Sequence, residues 1–487
     1  MGAPREAVIS SGEFCLHNEK RQIPKDLWLR RYWALAALTL LAAALRLFGL
    51  DSDLWLDEVV SLVKYFRLSP SAVFTAYESP NQHLLYSVVA SISRSAFGES
   101  AWAVRLPAAL AGIASIPAFF WLASAVAPRR EAWLATALLT VSYHHIWFSQ
   151  SARGYSPMMF CVIMGTALLI RARAGGARWH WWAYAGVMGC GILFLQNTVF
   201  VLLGHAAAAM VVDWRLSRPH LLAAGGAVAI AVAGHLPLLA GILEIWRTMD
   251  RAGGGSGITS VADFWGLVLR GLQSGFFLPG VAVGGLLAAF GWMDFWKKNR
   301  WVALAFLLSA GWGVLAIVVL QYGAYPRAFL YCLPFALLFI VRGARCAGEA
   351  VSARPLAGDM VAGFLVLCSI GSLYFLYRHP KQDYSGALTW VDQRRAVTEI
   401  LAGAGMAGGV YQLYYRPDLP VVLTLDELRT LEQSRKTVWV LFSFTRDMRL
   451  RYGPLYDYLQ ANYRIEAALP GTLDDGTIYI VRRDRFQ

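Results

Sequence analysis

Charge is what this sequence has least of. Only 15% of its 487 residues are Asp, Glu, Lys or Arg, and 57% are hydrophobic, whereas an ordinary soluble domain carries about 25% charge. Too little polar surface is available for a soluble globular protein, and several apolar stretches reach the roughly twenty residues that cross a hydrocarbon core. Cysteine is also scarce. The six, Cys15, Cys161, Cys190, Cys332, Cys346 and Cys368, form no CxxC and none lies in the last hundred residues, which excludes a disulfide framework and a thiolate metal site. Internal repeats are absent, and low complexity is confined to "GGGSG" at 253–257.

Acidic residues are outnumbered, 31 against 44 Lys and Arg, for a net charge of +13. In a soluble protein this would suggest nucleic acid, but here the basic residues sit in short loops between apolar runs, where they act as orientation signals. The expected architecture is a polytopic α-helical membrane protein of about eleven spans, near 32–50, 103–126, 131–148, 156–172, 181–197, 199–213, 219–241, 277–293, 301–320, 327–341 and 357–377. The pair at 181–213 is short enough to be one bent helix. Segment 81–98 carries Leu85, Val88, Val89, Ile92 and Ala96 on one stripe, with His83, Ser87, Ser91 and Arg94 opposite, the pattern of a helix lying in the interface. If it does not cross, the loops holding Arg129/Arg130, Arg171/Arg173/Arg178, Arg215/Arg218, Lys297/Lys298/Arg300 and Arg342/Arg345/Arg354 all fall on the cytoplasmic side, as the positive-inside rule requires.

Three parts are expected: a polar cytoplasmic tail 1–31, a transmembrane domain 32–379 whose first outer loop is 51–98, and a small extracytoplasmic α/β domain 380–487. The first apolar run has no small-residue cleavage site behind it and reads as a retained span. In the last part "GGVYQLYY" (408–415), "TVWVLFSF" (437–444) and "GTIYIVRR" (476–483) read as strands, and "TLDELRTLEQS" and 446–460 as helices. The stretch "DFWGLVLRGLQSGFF" in 242–276 is a candidate second interfacial helix.

This topology puts four polar segments on the outer side: loop 51–80, "SQSARGYS" (149–156), loop 242–276 and "QYGAYPRAF" (321–329). In the first, "DSDLWLDEVV" holds Asp57 and Glu58, with Glu78 further on. A carboxylate at a water–lipid boundary can serve as a base or hold a cation. Arg153 with Tyr155, and Arg327 with Tyr325, stand at the outer ends of spans, where a planar guanidinium suits a lipid phosphate. His83 beside Glu78, and the pair His144/His145, are the metal candidates. Trp55, beside the acidic pair, can stack on a sugar ring. Arg46, Gln196, Asn197 and His205 read as satisfied intramembrane polar groups.

The ordered motifs "LWLDEVVSL", "ESPNQHLLYSVVASISRSAFGESAWAVRLPAALAGIASIPAFFWLA", "LLTVSYHHIWFSQSARGYS", "YPRAFLYCLPFALL" and "HPKQDYSGALTWV" resemble the polyprenyl-phosphate-sugar glycosyltransferases of the GT-C superfamily. The resemblance covers about residues 45–395 and is strongest to the bacterial branch grouped with protein O-mannosyltransferases and the lipid A aminoarabinose transferase. It implies a bacterial inner-membrane enzyme with its site facing outward, Asp57 as the catalytic base, Glu78 at an acidic position used for donor or metal binding, and Arg153 and Arg327 near the donor phosphate; Glu58, His83, Tyr155 and Tyr325, read from their placement, are further candidate contacts to donor phosphate or substrate. The sequence departs from the family in reading "SPNQHLLY" where two prolines before Leu-Tyr are typical, which leaves Gln82 and His83 without an inherited role. The expected activity is transfer of a monosaccharide from a polyprenyl-phosphate donor to a lipid, glycan or protein acceptor, with inversion. No cofactor is required for that chemistry; Glu78 and His83 are the ligands should a divalent cation take part. The alternatives are a lipid-linked-glycan flippase, and an O-antigen polymerase or ligase using a diphosphate-linked donor. A flippase more often shows paired repeats and broken helices, which this sequence lacks.

Overall fold

The computed structural model describes residues 25–212, 214, 217–248, 261–320, 326–351, 356–434 and 436–484. Tyr325, Cys15, the "GGGSG" run and most of the tail 1–31 lie outside them. Seven helices among the described residues are long and apolar enough to cross a membrane, and three shorter apolar ones accompany them.

The chain begins with α1 (Lys25–Leu47), followed after the carboxylate loop by the short α2 (Leu56–Ser61), then α3 (Leu84–Phe97) and α4 (Ala101–Val126). Helix α3 is the 81–98 segment. Ser91 Oγ donates to the Leu68 carbonyl at 2.5 Å, Ser93 Oγ to that of Ala103 at 2.6 Å, and the Tyr86 hydroxyl to that of Val104 at 2.8 Å. The serine side thus faces protein, while Ile92 on the apolar stripe stays 52% exposed.

The span expected at 131–148 is two helices, α5 (Arg129–Thr140) and α6 (Tyr143–Ser149). A break inside a bundle frees carbonyls that need donors. Arg46 of α1 supplies them, reaching Thr140 O at 3.1 Å and Leu139 O at 3.4 Å, with His145 Nδ1 at 2.6 Å. His144 instead meets the Gly271 carbonyl at 2.8 Å, so the two histidines diverge. Next come α7 (Tyr155–Arg173), α8 (Trp179–Phe194) and α9 (Thr198–Val212). The last two are separate helices, not one bent helix, because Leu195 between them is extended.

The remaining membrane helices are α10 (Ser217–His235), α11 (Val261–Lys298), α12 (Arg300–Leu320), α13 (Leu333–Val351) and α14 (Leu356–Arg378). Phe277, at φ 55°, divides α11, which separates the expected interfacial piece from the span after it. Small residues let backbones touch. A Cβ on Gly291 would lie 1.9 Å from the Phe339 carbonyl oxygen, and one on Gly343 1.8 Å from that of Leu287. At the end of the bundle away from the carboxylate loop, Arg342 bridges Glu131 and Asp294, both at 2.7 Å, and Arg345 meets Asp359 at 2.8 Å. Buried charge is tolerated there because every member is paired.

The C-terminal region builds a five-stranded sheet from β1 (Ile400–Ala404), β2 (Val421–Val422), β3 (Val438–Phe442), β4 (Arg464–Leu469) and β5 (Ile478–Arg483), in the order β2-β1-β3-β5-β4. The first three are parallel, and β5 runs antiparallel to β3 and β4. Strands expected at 437–444 and 476–483 are β3 and β5. "GGVYQLYY" is not a strand. It forms a helix over Gly405–Val410 that runs on as a π-helical turn through Tyr415. Gly405 starts it at φ +58°, and Gly408 lies so near β1 that a Cβ on Gly403 would be 2.5 Å from its Cα.

Candidate active site

Four chain segments meet at one end of the bundle: the loop 51–83, the turn 150–154 between α6 and α7, the residues leading into α13, and the linker 379–385 after α14. Asp57 stands in the first turn of α2, its side chain 15% exposed, with Oδ2 3.2 Å from Arg327 Nη1. The Arg327 guanidinium lies 5.7 Å from the centroid of the Trp55 ring, a distance that gives cation–π attraction. Asn81 Nδ2 holds the Asp57 backbone carbonyl at 3.0 Å. Helix α2 continues as a π-helical turn, Leu62–Phe66, a distortion common at functional sites.

Arg153 is buried and reaches Ser61 Oγ at 2.6 Å, the Asn81 carbonyl at 2.5 Å and His83 Nε2 at 3.0 Å. His83 Nδ1 accepts the Gly154 N–H at 2.8 Å. Burial, then Arg153 and Arg327, hold the His83 imidazole well below its usual value, so it is neutral. Burial likewise lowers the Arg153 guanidinium, with Asp57 the largest opposing influence. Tyr155 packs edge-on against His83 at 5.4 Å and forms an aromatic wall. The motif "RGYS" has a steric reason for its glycine. A Cβ at Gly154 would lie 2.0 Å from the Phe194 carbonyl oxygen and 3.0 Å from His83 Nδ1. Gly154→Ala is expected to cost about 1–3 kcal/mol through overpacking, measurable as a lower thermal midpoint with His83 and Arg153 displaced.

Two expectations need correction. Glu58 does not face a ligand: it is fully buried, paired with Arg105 through Nε to Oε1 at 2.9 Å and Nη2 to Oε2 at 2.6 Å. The N–H groups of Ala152 and Trp55 also donate to it, at 2.5 and 3.2 Å. Burial alone would raise its carboxyl, but Arg105 and Lys381 overcome this and hold it below the usual range. Glu78 and His83 do not form a metal pair, since Glu78 is exposed and both His83 nitrogens are engaged. Among the described residues no three His, Cys, Asp or Glu side chains stand so that they could hold a metal ion together.

Arg105, unremarked in the sequence, organises the loop. Besides Glu58 it donates to the carbonyls of Leu50, Ser52 and Asp53 at 2.9, 2.7 and 2.7 Å. The C-terminal region holds the same loop from the other side. Asp53 accepts from the Ser385 N–H at 2.6 Å and hydroxyl at 2.8 Å, the Leu56 N–H donates to Gln382 Oε1 at 3.1 Å, and the Tyr415 hydroxyl donates to the Leu54 carbonyl at 2.8 Å. The Leu56 N–H opens α2 and would otherwise lack a partner.

Lys381 is buried beside these groups, its Nζ donating to the Gln150 carbonyl at 2.5 Å. Burial, then Arg105, lowers its ammonium from 10.5 to about 7, with Glu58 opposing. Between those values the unfolded chain binds more protons than the folded one, so this group adds stability as pH rises from about 7 to 10.5. Lys381→Met should flatten that rise, seen as a smaller difference in thermal midpoint between pH 7 and pH 9 than in the native chain.

Residues 81–237 match the family model of the dolichyl-phosphate-mannose-protein mannosyltransferases, a segment that contains His83, Arg105, Arg153 and Tyr155. No curated protein sequence matches the chain. Among solved structures, ArnT from Cupriavidus metallidurans bound to undecaprenyl phosphate aligns with a TM-score of 0.51 at 16% identity, over 93% of this chain and 98% of that one. Its apo form gives 0.52 at 15% identity, over 94% and 98%. The oligosaccharyltransferase AglB from Archaeoglobus fulgidus, in complex with an inhibitory peptide and a dolichol-phosphate, gives 0.51 at 13% identity, over 93% and 74%. The chain is a multi-pass membrane protein with the GT-C fold of these enzymes, and its residues 81–237 carry the dolichyl-phosphate-mannose-protein mannosyltransferase sequence pattern.

Proposed function

We propose that this chain is a glycosyltransferase that moves a monosaccharide from a polyprenyl-phosphate donor to a lipid, glycan or protein acceptor at the outer face of the bacterial inner membrane. The observation that carries the reading is the Asp57–Arg327 pair at 3.2 Å, a carboxylate held beside a cation at the membrane mouth with Arg153 near by. Support also comes from ArnT and AglB, solved with undecaprenyl phosphate and with a dolichol-phosphate.

In this chemistry the leaving group is a phosphate monoester anion, stable without protonation, so a single base suffices. The acceptor oxygen attacks the anomeric carbon while its proton passes to Asp57. The bond from that carbon to the phosphate oxygen breaks, and its electron pair leaves with the polyprenyl phosphate. Arg327 exchanges part of its attraction to Asp57 for the departing phosphate, an oriented charge that needs little reorganisation. One displacement inverts the anomeric centre; retention would need a carboxylate nucleophile on the opposite face.

The proposed role of Arg327 is tested by inhibition with undecaprenyl phosphate. Losing one charge-assisted contact of about 1.5–3 kcal/mol in Arg327→Met should raise the inhibition constant about 10- to 100-fold. An unchanged constant would remove Arg327 from the donor site.

A further inference from the structure

A cavity of about 410 Å³ opens where the bundle meets the C-terminal region, in the size range of small-molecule sites. Its walls come from Phe48 after α1, Tyr377 at the end of α14, Trp147 of α6, Asp51 and Asp53 of the carboxylate loop, and Thr472 of the loop before β5. Arg378, His379, Lys381 and Asp383 of the linker after α14 and its last turn also line it. Trp147 connects it to the site described above. Its ring centroid is 5.9 Å from that of Trp55, and Trp55 carries Arg327, the partner of Asp57.

Resting on the glycosyltransferase reading, we propose that this cavity is the acceptor subsite and takes an uncharged, hydroxyl-rich sugar. Three carboxylates line it, those of Asp51, Asp53 and Asp383, against the two cations Arg378 and Lys381; carboxylates accept hydrogen bonds from sugar hydroxyls, and their excess over the cations disfavours phosphate. Donors stand on the other wall. Lys381 Nζ lies 4.9 Å from the centroid of the Trp147 ring, and the Thr472 hydroxyl, which accepts from Trp147 Nε1 at 3.0 Å, keeps its own proton to donate. The carboxylates are already oriented: Asp53 by Ser385, and Asp383 by the Gly386 N–H at 3.0 Å. A sugar seated here lies on the acceptor side of the Trp55–Trp147 pair and touches Asp53, four residues before the base.

The mouth is flanked by exposed aromatic side chains. Phe48 is 67% exposed at the end of α1, and Tyr374, one turn before Tyr377 on α14, is 69% exposed. Free glycans and the headgroups of glycolipids share the sugar chemistry, and the experiment separates them. Native mass spectrometry of the full chain released from nanodiscs would measure binding of maltose, monoglucosyl diacylglycerol and phosphatidylglycerol. The native chain is expected to bind maltose or the glucosyl lipid. Thr472→Phe, which fills the cavity, and Asp51→Leu, at an exposed carboxylate, should each weaken that binding about tenfold or more, about 1.4 kcal/mol. Binding of the glucosyl lipid alone identifies a lipid-borne sugar; binding of maltose as well identifies a site for the sugar itself. Preference for phosphatidylglycerol, no sugar binding, or sugar binding untouched by both substitutions overturns the proposal. Donor turnover is measured separately on the native chain. Turnover without sugar binding removes the subsite and leaves the enzyme, whereas sugar binding without turnover removes the enzyme reading and leaves the cavity.

Discussion

Asp57→Asn is expected to insert and fold as the native chain does and to lose sugar transfer by about 10²–10⁴-fold, the contribution of a positioned general base. The amide keeps the shape of the carboxylate but cannot take the acceptor's proton. Folding should be little affected, because the Asp57 side chain meets Arg327 at a partly exposed position and the loop is held by other groups. The measurement is turnover of a labelled donor, with the thermal midpoint as the check on folding. Transfer at the native rate would remove Asp57 as the base.

Arg105→Met should have a larger effect on stability than a change at Arg327. It leaves the Glu58 carboxylate buried without its counter-charge and removes the donor from three loop carbonyls. Breaking a buried pair on one side costs about 3–5 kcal/mol, enough to release the loop that carries Asp57. Because the lost partner creates much of that cost, the double variant Arg105→Met/Glu58→Gln should recover part of the stability lost in Arg105→Met. Thermal unfolding in detergent reads both. A double variant no more stable than the single one would mean that the loop carbonyls, not the charge pair, are the main contribution of Arg105.

The bundle was legible in the sequence because apolar length is a one-dimensional signal. The two-sidedness of 84–97 is legible too, since its serines and apolar residues fall on opposite faces. Asp57, Arg153 and Arg327 stood out as polar residues beside apolar runs, and the fold brings Asp57 and Arg327 together. Arg105 did not stand out. An arginine inside "AWAVRLP" gives no sign of a partner 47 residues earlier, and Glu58, next to Asp57, reads in sequence as a second site carboxylate although it pairs with that arginine. Gln382 and Lys381 were hidden for the same reason, as their partners lie more than 200 residues away in sequence. The helix at 405–415 reads as a strand because its valine and three tyrosines favour strands locally, whereas the close approach of Gly408 to Gly403 is a tertiary requirement. Strand β1, "ILAGA", is short and rich in small residues, so it carries little strand signal of its own.

The central claim is that the chain consumes a monophosphate-linked sugar. It is tested most directly by purified native protein in detergent, offered radiolabelled polyprenyl-monophosphate and polyprenyl-diphosphate sugars with membrane extract as acceptor. Label passing into a new product from a monophosphate donor is the predicted result. Label drawn only from the diphosphate donors, or no donor consumed while proteoliposomes move a lipid-linked sugar between leaflets, would contradict it.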